Sequence, residues 1–126
     1  EVCVFDGVVQ ALTRLAERYP LVAVSNGNAD VFRTPVGAFF QASVSARDCG
    51  VAKPDPRIFQ AAAERLNLPV HAVLHVGDDV LADAVGAREV GMQAVWVNTH
   101  ERAWSHDSAP PLTVSAVAQL CDHLLT

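Results

Sequence analysis

Three acids, Asp78, Asp79 and Asp83, stand close together just after the apolar run Ala72–Val76 and Gly77. Adjacent carboxylates at a strand end, with a third one helical turn further on, concentrate negative charge. Like charges so near raise one another's pKa unless a cation neutralises them. Hard oxygens in a small cluster suit Mg2+, which keeps several waters and takes few protein ligands. The same residues also fit a plainer role, in which Asp78 or Asp79 caps the following helix and Asp83 is surface charge. Lys53, in the loop Gly50–Pro56, is the basic counterpart. A lysine ahead of a rigid turn can hold a point charge over a phosphoryl oxygen or an aspartate, although most loop lysines are simply solvated. Ser25, Asn26 and Gly27 follow a second apolar run, Leu21–Val24. They bring a hydroxyl, an amide and a flexible backbone together, which suits a phosphoryl group or merely a turn.

The elements that must position these groups alternate. Apolar residues at helical spacing predict a helix over Gly7–Arg18, ended by Pro20, and Leu21–Val24 reads as a buried strand running into a tight loop. Ala42–Ser45 is a second strand, and Ala29–Phe40 between them holds a short helix broken near Pro35 and Gly37. Asp55 is an N-cap with Pro56 at the first helical position, and Ile58, Phe59, Ala62, Ala63 and Leu66 form the buried face of the helix that follows. Ala72–Val76 is a third strand, turning through Gly77-Asp78-Asp79 into a helix that runs to about Val90 and is closed by Gly91 as a left-handed cap. Gln93–Val97 is a fourth strand, 98–111 a loop, Leu112–Val114 a short edge strand and Ser115–Leu125 a last helix. Such alternation predicts right-handed crossovers and a parallel sheet covered on both faces, with the ligand crevice at the carboxyl ends of the strands. Ser25-Asn26 and Asp78-Asp79 both fall there.

With 126 residues, 51% apolar and 18% charged, the chain makes one domain with a real core. A net charge of -5 without a Lys/Arg cluster excludes nucleic acid or an anionic membrane as a bulk partner. The first residues form neither a signal peptide nor a membrane span. Cys3, Cys49 and Cys121 are odd in number and lie in apolar surroundings, as reduced thiols do, and the expected compartment is the cytoplasm. His75, inside an apolar strand, reads as a packed core residue, and Trp96 and Trp104 likewise as packing. His71, His100, His106 and His123 lack metal-ligand spacing.

In order, LVAVSNGNAD, GVAKPDPRIF and LHVGDDVLADAVGAREVGM resemble the second, third and fourth motifs of the haloacid dehalogenase-like hydrolase superfamily, with the resemblance running from about Phe5 to Val97. It implies a Rossmann-like three-layer α/β/α core with a mostly parallel sheet. It also implies a Mg2+-dependent phosphatase of small phosphorylated metabolites, working through an aspartyl-phosphate. Ser25 and Lys53 are then the catalytic positions; Ser25, Asn26, Gly27 and Lys53 hold the phosphoryl group; Asp78, Asp79 and Asp83 serve the metal, with the second acid left open between Asp79 and Asp83.

The superfamily's first motif, Asp-x-Asp, is not matched. The nearest segment is Val2-Cys3-Val4-Phe5-Asp6-Gly7-Val8, in which residue 8 is valine and Asp6 reads as a helix N-cap. The resemblance therefore implies a partial core lacking its first, central strand, which would lie beside those starting at Leu21 and Ala72, and lacking the cap. The start at Glu1, without Met, fits a partial chain, and the nucleophile is expected upstream. Residues 1–126 alone are not expected to turn over a phosphate ester, so whether this chain is itself an enzyme stays open. The alternatives are a noncatalytic relative that binds phosphate, metal or a partner, and a metal-independent 2-haloacid dehalogenase. A phospho-accepting receiver domain carries its acids and lysine in the reverse order.

Overall fold

The structure is a computed structural model, and it describes residues 10–26 and 37–125. Asp6, Gly27, Cys3 and most of the helix expected over Ala29–Phe40 lie outside the described residues. The first helix, α1, is described over 10–16 and buries Ala11 and Leu15. Strand β1 is Val22–Ser25 and β2 is Ala42–Ser45, paired in parallel with Val22 opposite Ala42. A single helical turn, α2 (Ala46–Cys49), follows, with Ser45 Oγ accepting from Asp48 N and Gly50 closing it in the left-handed region. Helix α3 (Pro56–Leu66) begins as its sequence predicts: Asp55 caps Arg57 N, Pro56 occupies the first turn, and Asn67 ends it with φ 57°.

Strand β3 (Leu74–Gly77) starts two residues later than its apolar run, because Val70–Ala72 forms a 3-10 turn. Next comes a π-helical segment, Val80–Val85, leading into the α-helical turn α4 (Gly86–Glu89). Gly91 takes φ 98°, the left-handed stop its position predicts. Strand β4 (Gln93–Val97) pairs in parallel with β3 on one side and with β5 (Leu112–Val114) on the other, and α5 (Val117–Leu124) packs back.

Alternation along the strands sorts the core into two layers. Leu74, Val76, Val95 and Val97 face α1 and α5, where Ala11, Leu15, Leu120 and Cys121 are buried. The opposite face carries Val22, Val24, Val44 and Ala94 against Ile58, Phe59, Ala62 and Ala63 of α3 and Ala87 of α4. This is the expected Rossmann-like α/β/α layering. Gly86 lets α4 come close: a Cβ there would lie 2.8 Å from Pro54 Cβ and 3.0 Å from Phe59 Cε2, so the loop bearing Lys53 rests directly on this helix. Cys49 and Cys121 are free thiols. No described helix is long and apolar enough to cross a membrane.

Among the described residues the strands do not form one continuous sheet. The described residues make a two-stranded sheet, β1-β2, and a three-stranded sheet, β3-β4-β5. Between them lies a cavity of about 360 Å3 lined by consecutive residues of both facing segments, Leu21–Val24 and Val73–Val76, together with Phe59 and Leu120. Side chains of a strand alternate between faces, so a lining of consecutive residues means that strand edges face the space. The gap falls between the two strands that the family resemblance places on either side of its first strand, and no strand lies there among the described residues.

Candidate functional site

The carboxyl ends of β1 and β3 are bridged by one buried ionic cluster. Asp83, 3% exposed, accepts from Lys53 Nζ at 2.6 Å and pairs with His75 Nε2 at 2.9 Å, both on Oδ1. Its Oδ2 accepts from the Asp79 backbone amide at 3.1 Å. Lys53 Nζ also donates to the Val24 carbonyl at 3.4 Å, which ties the lysine to the end of β1. Burial pushes the Asp83 carboxyl up. The His75 hydrogen bond, the hydrogen bond and charge of Lys53, and the Asp79 amide outweigh it and hold the group at about 2.

Local backbone geometry brings Asp83 to this point. Asp79 Oδ1 caps the helix start by accepting from Ala82 N at 2.7 Å, while the Asp79 carbonyl accepts from both Asp83 N and Ala84 N at 3.1 Å. The wider π turn swings Asp83 back over Gly77, where a Cβ would stand 2.3 Å from Asp83 Cγ. Gly77 is thus needed for close approach. Gly77→Ala is expected to displace the Asp83 carboxylate, at about 1–3 kcal/mol of stability. Urea unfolding of the variant, with a crystal structure to locate Asp83, checks this outcome.

Asn26 anchors the lysine loop. Its Oδ1 accepts from Lys53 N at 2.6 Å and its Nδ2 donates to Lys53 O at 3.2 Å. The side chain so clasps the lysine's own peptide unit and registers the loop against the end of β1. Ser25 is the last residue of β1, and its Oγ is buried with no hydrogen-bond partner among the described residues. A buried hydroxyl without a partner costs about 1–3 kcal/mol, so this position is suited to a polar group that arrives from outside these residues.

The three acids separate by role. Asp83 is engaged on both oxygens, Asp79 caps the helix, and Asp78 is exposed with no side-chain hydrogen bond among the described residues. Among those residues, no three His, Cys, Asp or Glu side chains converge as a ready-made metal cage. The arrangement fits a hydrated Mg2+ taking one carboxylate here, Asp78, and does not fit a closed cage of all three acids.

Two residues that sequence reasoning assigned to packing join the site. His75 binds Asp83 as above. Trp96, opposite Gly77 in the β3-β4 register, donates from Nε1 to the Asp78 carbonyl at 2.9 Å, fixing the peptide from which that carboxylate projects. Trp104 packs edge-on against Trp96 at 5.3 Å. A histidine or tryptophan within an apolar strand has no spacing signature of its own. The signal for His75 was only that a polar ring there needs a partner.

An α/β/α core with a lysine-carboxylate pair and an exposed aspartate at the carboxyl ends of parallel strands places its charged groups where Rossmann-like domains bind their ligands. The chain belongs to the haloacid dehalogenase-like hydrolase family, which matches residues 1–91. It is 38% identical over 113 residues to the 5-amino-6-(5-phospho-D-ribitylamino)uracil phosphatase YigB of Escherichia coli, covering 86% of this chain and 48% of that protein. It is 31% identical over 134 residues to the pyrimidine 5'-nucleotidase YjjG of Escherichia coli, covering 98% of this chain and 60% of the relative. The crystal structure of a 2-haloacid dehalogenase from Pseudomonas syringae pv. Tomato superposes with a TM-score of 0.91 at 36% identity, over 96% of this chain and 53% of that one. The chain therefore spans about half the length of the proteins it matches.

Proposed function

We propose that the protein carrying this chain is a Mg2+-dependent phosphatase that hydrolyses a small phosphorylated metabolite through an aspartyl-phosphate, with the nucleophilic aspartate supplied from outside the described residues. The observation that carries this is the division of labour among the charged groups: Lys53 is held by the buried Asp83 carboxylate, and Asp78, exposed just past the end of β3, has no side-chain hydrogen bond among the described residues. Ser25 Oγ is the hydroxyl donor for a phosphoryl oxygen, Lys53 offsets charge between nucleophile and phosphate, and Asn26 keeps the lysine's loop in register. Gly27, next in the Ser25-Asn26-Gly27 motif, is assigned to phosphate binding with them by that sequence alone. Asp78 is the direct Mg2+ ligand from this chain, and Asp79 and Asp83 support it through the helix cap and through Lys53. When bound, Mg2+ would neutralise charge on the transferring phosphoryl group. The open space between β1 and β3 supports a further strand as the source of the nucleophile, because its carboxyl end would emerge between Ser25 and Asp78. The compartment we propose is the cytoplasm.

A second reading, a metal-independent 2-haloacid dehalogenase, is favoured by the structural match to such an enzyme. It leaves the free Asp78 without a role. Assaying the protein that carries this chain against a phosphomonoester and a 2-haloacid, each with Mg2+ and with chelator, separates the two. The phosphatase is expected to release phosphate only with Mg2+. Halide release that persists in chelator supports the dehalogenase, and no turnover of either substrate leaves a noncatalytic binding module.

A further inference from the structure

We propose that His75 is a positioning residue of this hydrolase: by donating from Nε2 to Asp83 Oδ1, it holds the carboxylate that in turn holds the Lys53 ammonium at the carboxyl ends of β1 and β3. The proposal rests on the hydrolase function above and adds a residue to its site.

The ring's position follows from strand alternation. Leu74 and Val76 face the α1/α5 core, so His75 between them faces α3, where Phe59 meets its ring edge-on at 5.1 Å and 88°. The flanking positions are apolar, and a histidine among them brings ring nitrogens into a site where its side chain is only 11% exposed. Nε2 ends 2.9 Å from Asp83 Oδ1. An ionised carboxylate has acceptors only, so Nε2 carries the proton in this contact.

Removal of that donor bears on Lys53 more than on the loop around it. The lysine's peptide unit is clasped independently by Asn26, at 2.6 and 3.2 Å. Its ammonium has Asp83 Oδ1 at 2.6 Å as its close partner, the Val24 carbonyl being a longer contact at 3.4 Å. Asp83 is restrained on one oxygen by His75 and on the other by the Asp79 amide. Without His75, Oδ1 is left with Lys53 alone, and the carboxylate keeps only the Asp79 amide as a restraint independent of the lysine, so carboxylate and ammonium shift together while the loop stays in place. A loss in kcat with little change in KM is therefore the expected signature.

The test compares the protein carrying this chain with His75→Leu, which removes the donor, and His75→Gln, whose amide reaches to about the place of Nε2. With Mg2+ and p-nitrophenyl phosphate, His75→Leu is expected to lower kcat about 30-fold with KM within about threefold, a size typical of a displaced catalytic group. His75→Gln is expected to return to within about fivefold of the parent. A His75→Leu protein with parental kcat, or a His75→Gln protein as slow as His75→Leu, overturns the proposal. Imidazole 1H–15N spectra of the unaltered protein need neither turnover nor a variant. They should show His75 protonated on Nε2 with slow solvent exchange, and a ring protonated only on Nδ1, or a fast-exchanging Nε2 proton, overturns the assignment. If the unaltered protein shows no turnover, the phosphatase function falls and these spectra alone decide whether His75 holds Asp83.

Discussion

Asp83→Ala is expected to cost about 3–5 kcal/mol of stability at neutral pH, the range seen when one partner of a buried ion pair is removed. Lys53 and Asp83 have side chains only 12% and 5% exposed, so deleting the carboxylate leaves an ammonium with little water to replace it. The isosteric Asp83→Asn should recover little. Three donors converge on the two oxygens, from Lys53, His75 and the Asp79 amide, and an asparagine must turn its own NH2 toward one of them. The same carboxylate sets an acid limit. Its folded pKa of about 2 lies below the ordinary 3.8, so its stabilisation is fully present above pH 3.8 and is lost as pH falls through 2. The amount is on the order of 2 kcal/mol by the usual conversion of pKa shift to free energy. Urea unfolding at pH 7 and across pH 4 to 2 checks both points: the parent should lose this increment on acidification and the Asp83 variants should not. A variant as stable as the parent would mean that the cluster contributes nothing to folding.

Phe59→Ala is expected to cost about 3–5 kcal/mol, as for other fully buried aromatic residues. Phe59 is 0% exposed and joins three features of the molecule. It packs in the α3 core, its ring supports His75, and its Cε2 lies 3.0 Å from where a Gly86 Cβ would stand. It also lines the cavity between β1 and β3, so truncation enlarges an existing space that the two sheets already fail to close. The urea midpoint should fall at unchanged slope. A loss under about 1 kcal/mol would show that α3 shifts to fill the space, contrary to the tight contacts at Gly86.

The sequence was legible wherever a local rule decided the outcome. Asp55 and Pro56 start α3, Gly91 ends the helix before β4, and Gln93–Val97 is a strand because β-branched and aromatic residues form a short apolar run there. The positions of Ser25 and Asp78 at the ends of two strands were legible, whereas the reach of Lys53 from its loop to the end of β1 was not. The one-turn helix Ala46–Cys49 went unassigned, since four residues offer no periodicity to read. The π turn at Val80–Val85 was equally hidden, because its hydrogen-bond pattern depends on Asp83 fitting over Gly77. That turn removes Asp83 from the acidic trio and gives it to Lys53 and His75, a partnership spanning 30 and 8 residues of sequence. No spacing rule reaches that far. The break between β1 and β3 was legible only through the unmatched Asp-x-Asp motif.

The most direct test is Mg2+-dependent turnover of a phosphomonoester by the protein carrying this chain, measured against Mg2+ concentration for the parent and for Asp78→Asn. The account predicts saturable activation by Mg2+ in the parent, and in Asp78→Asn a loss of roughly 100-fold or more in kcat together with weaker activation, as expected for removal of a metal ligand or its close support. Turnover in Asp78→Asn at the parental rate and Mg2+ dependence would contradict it.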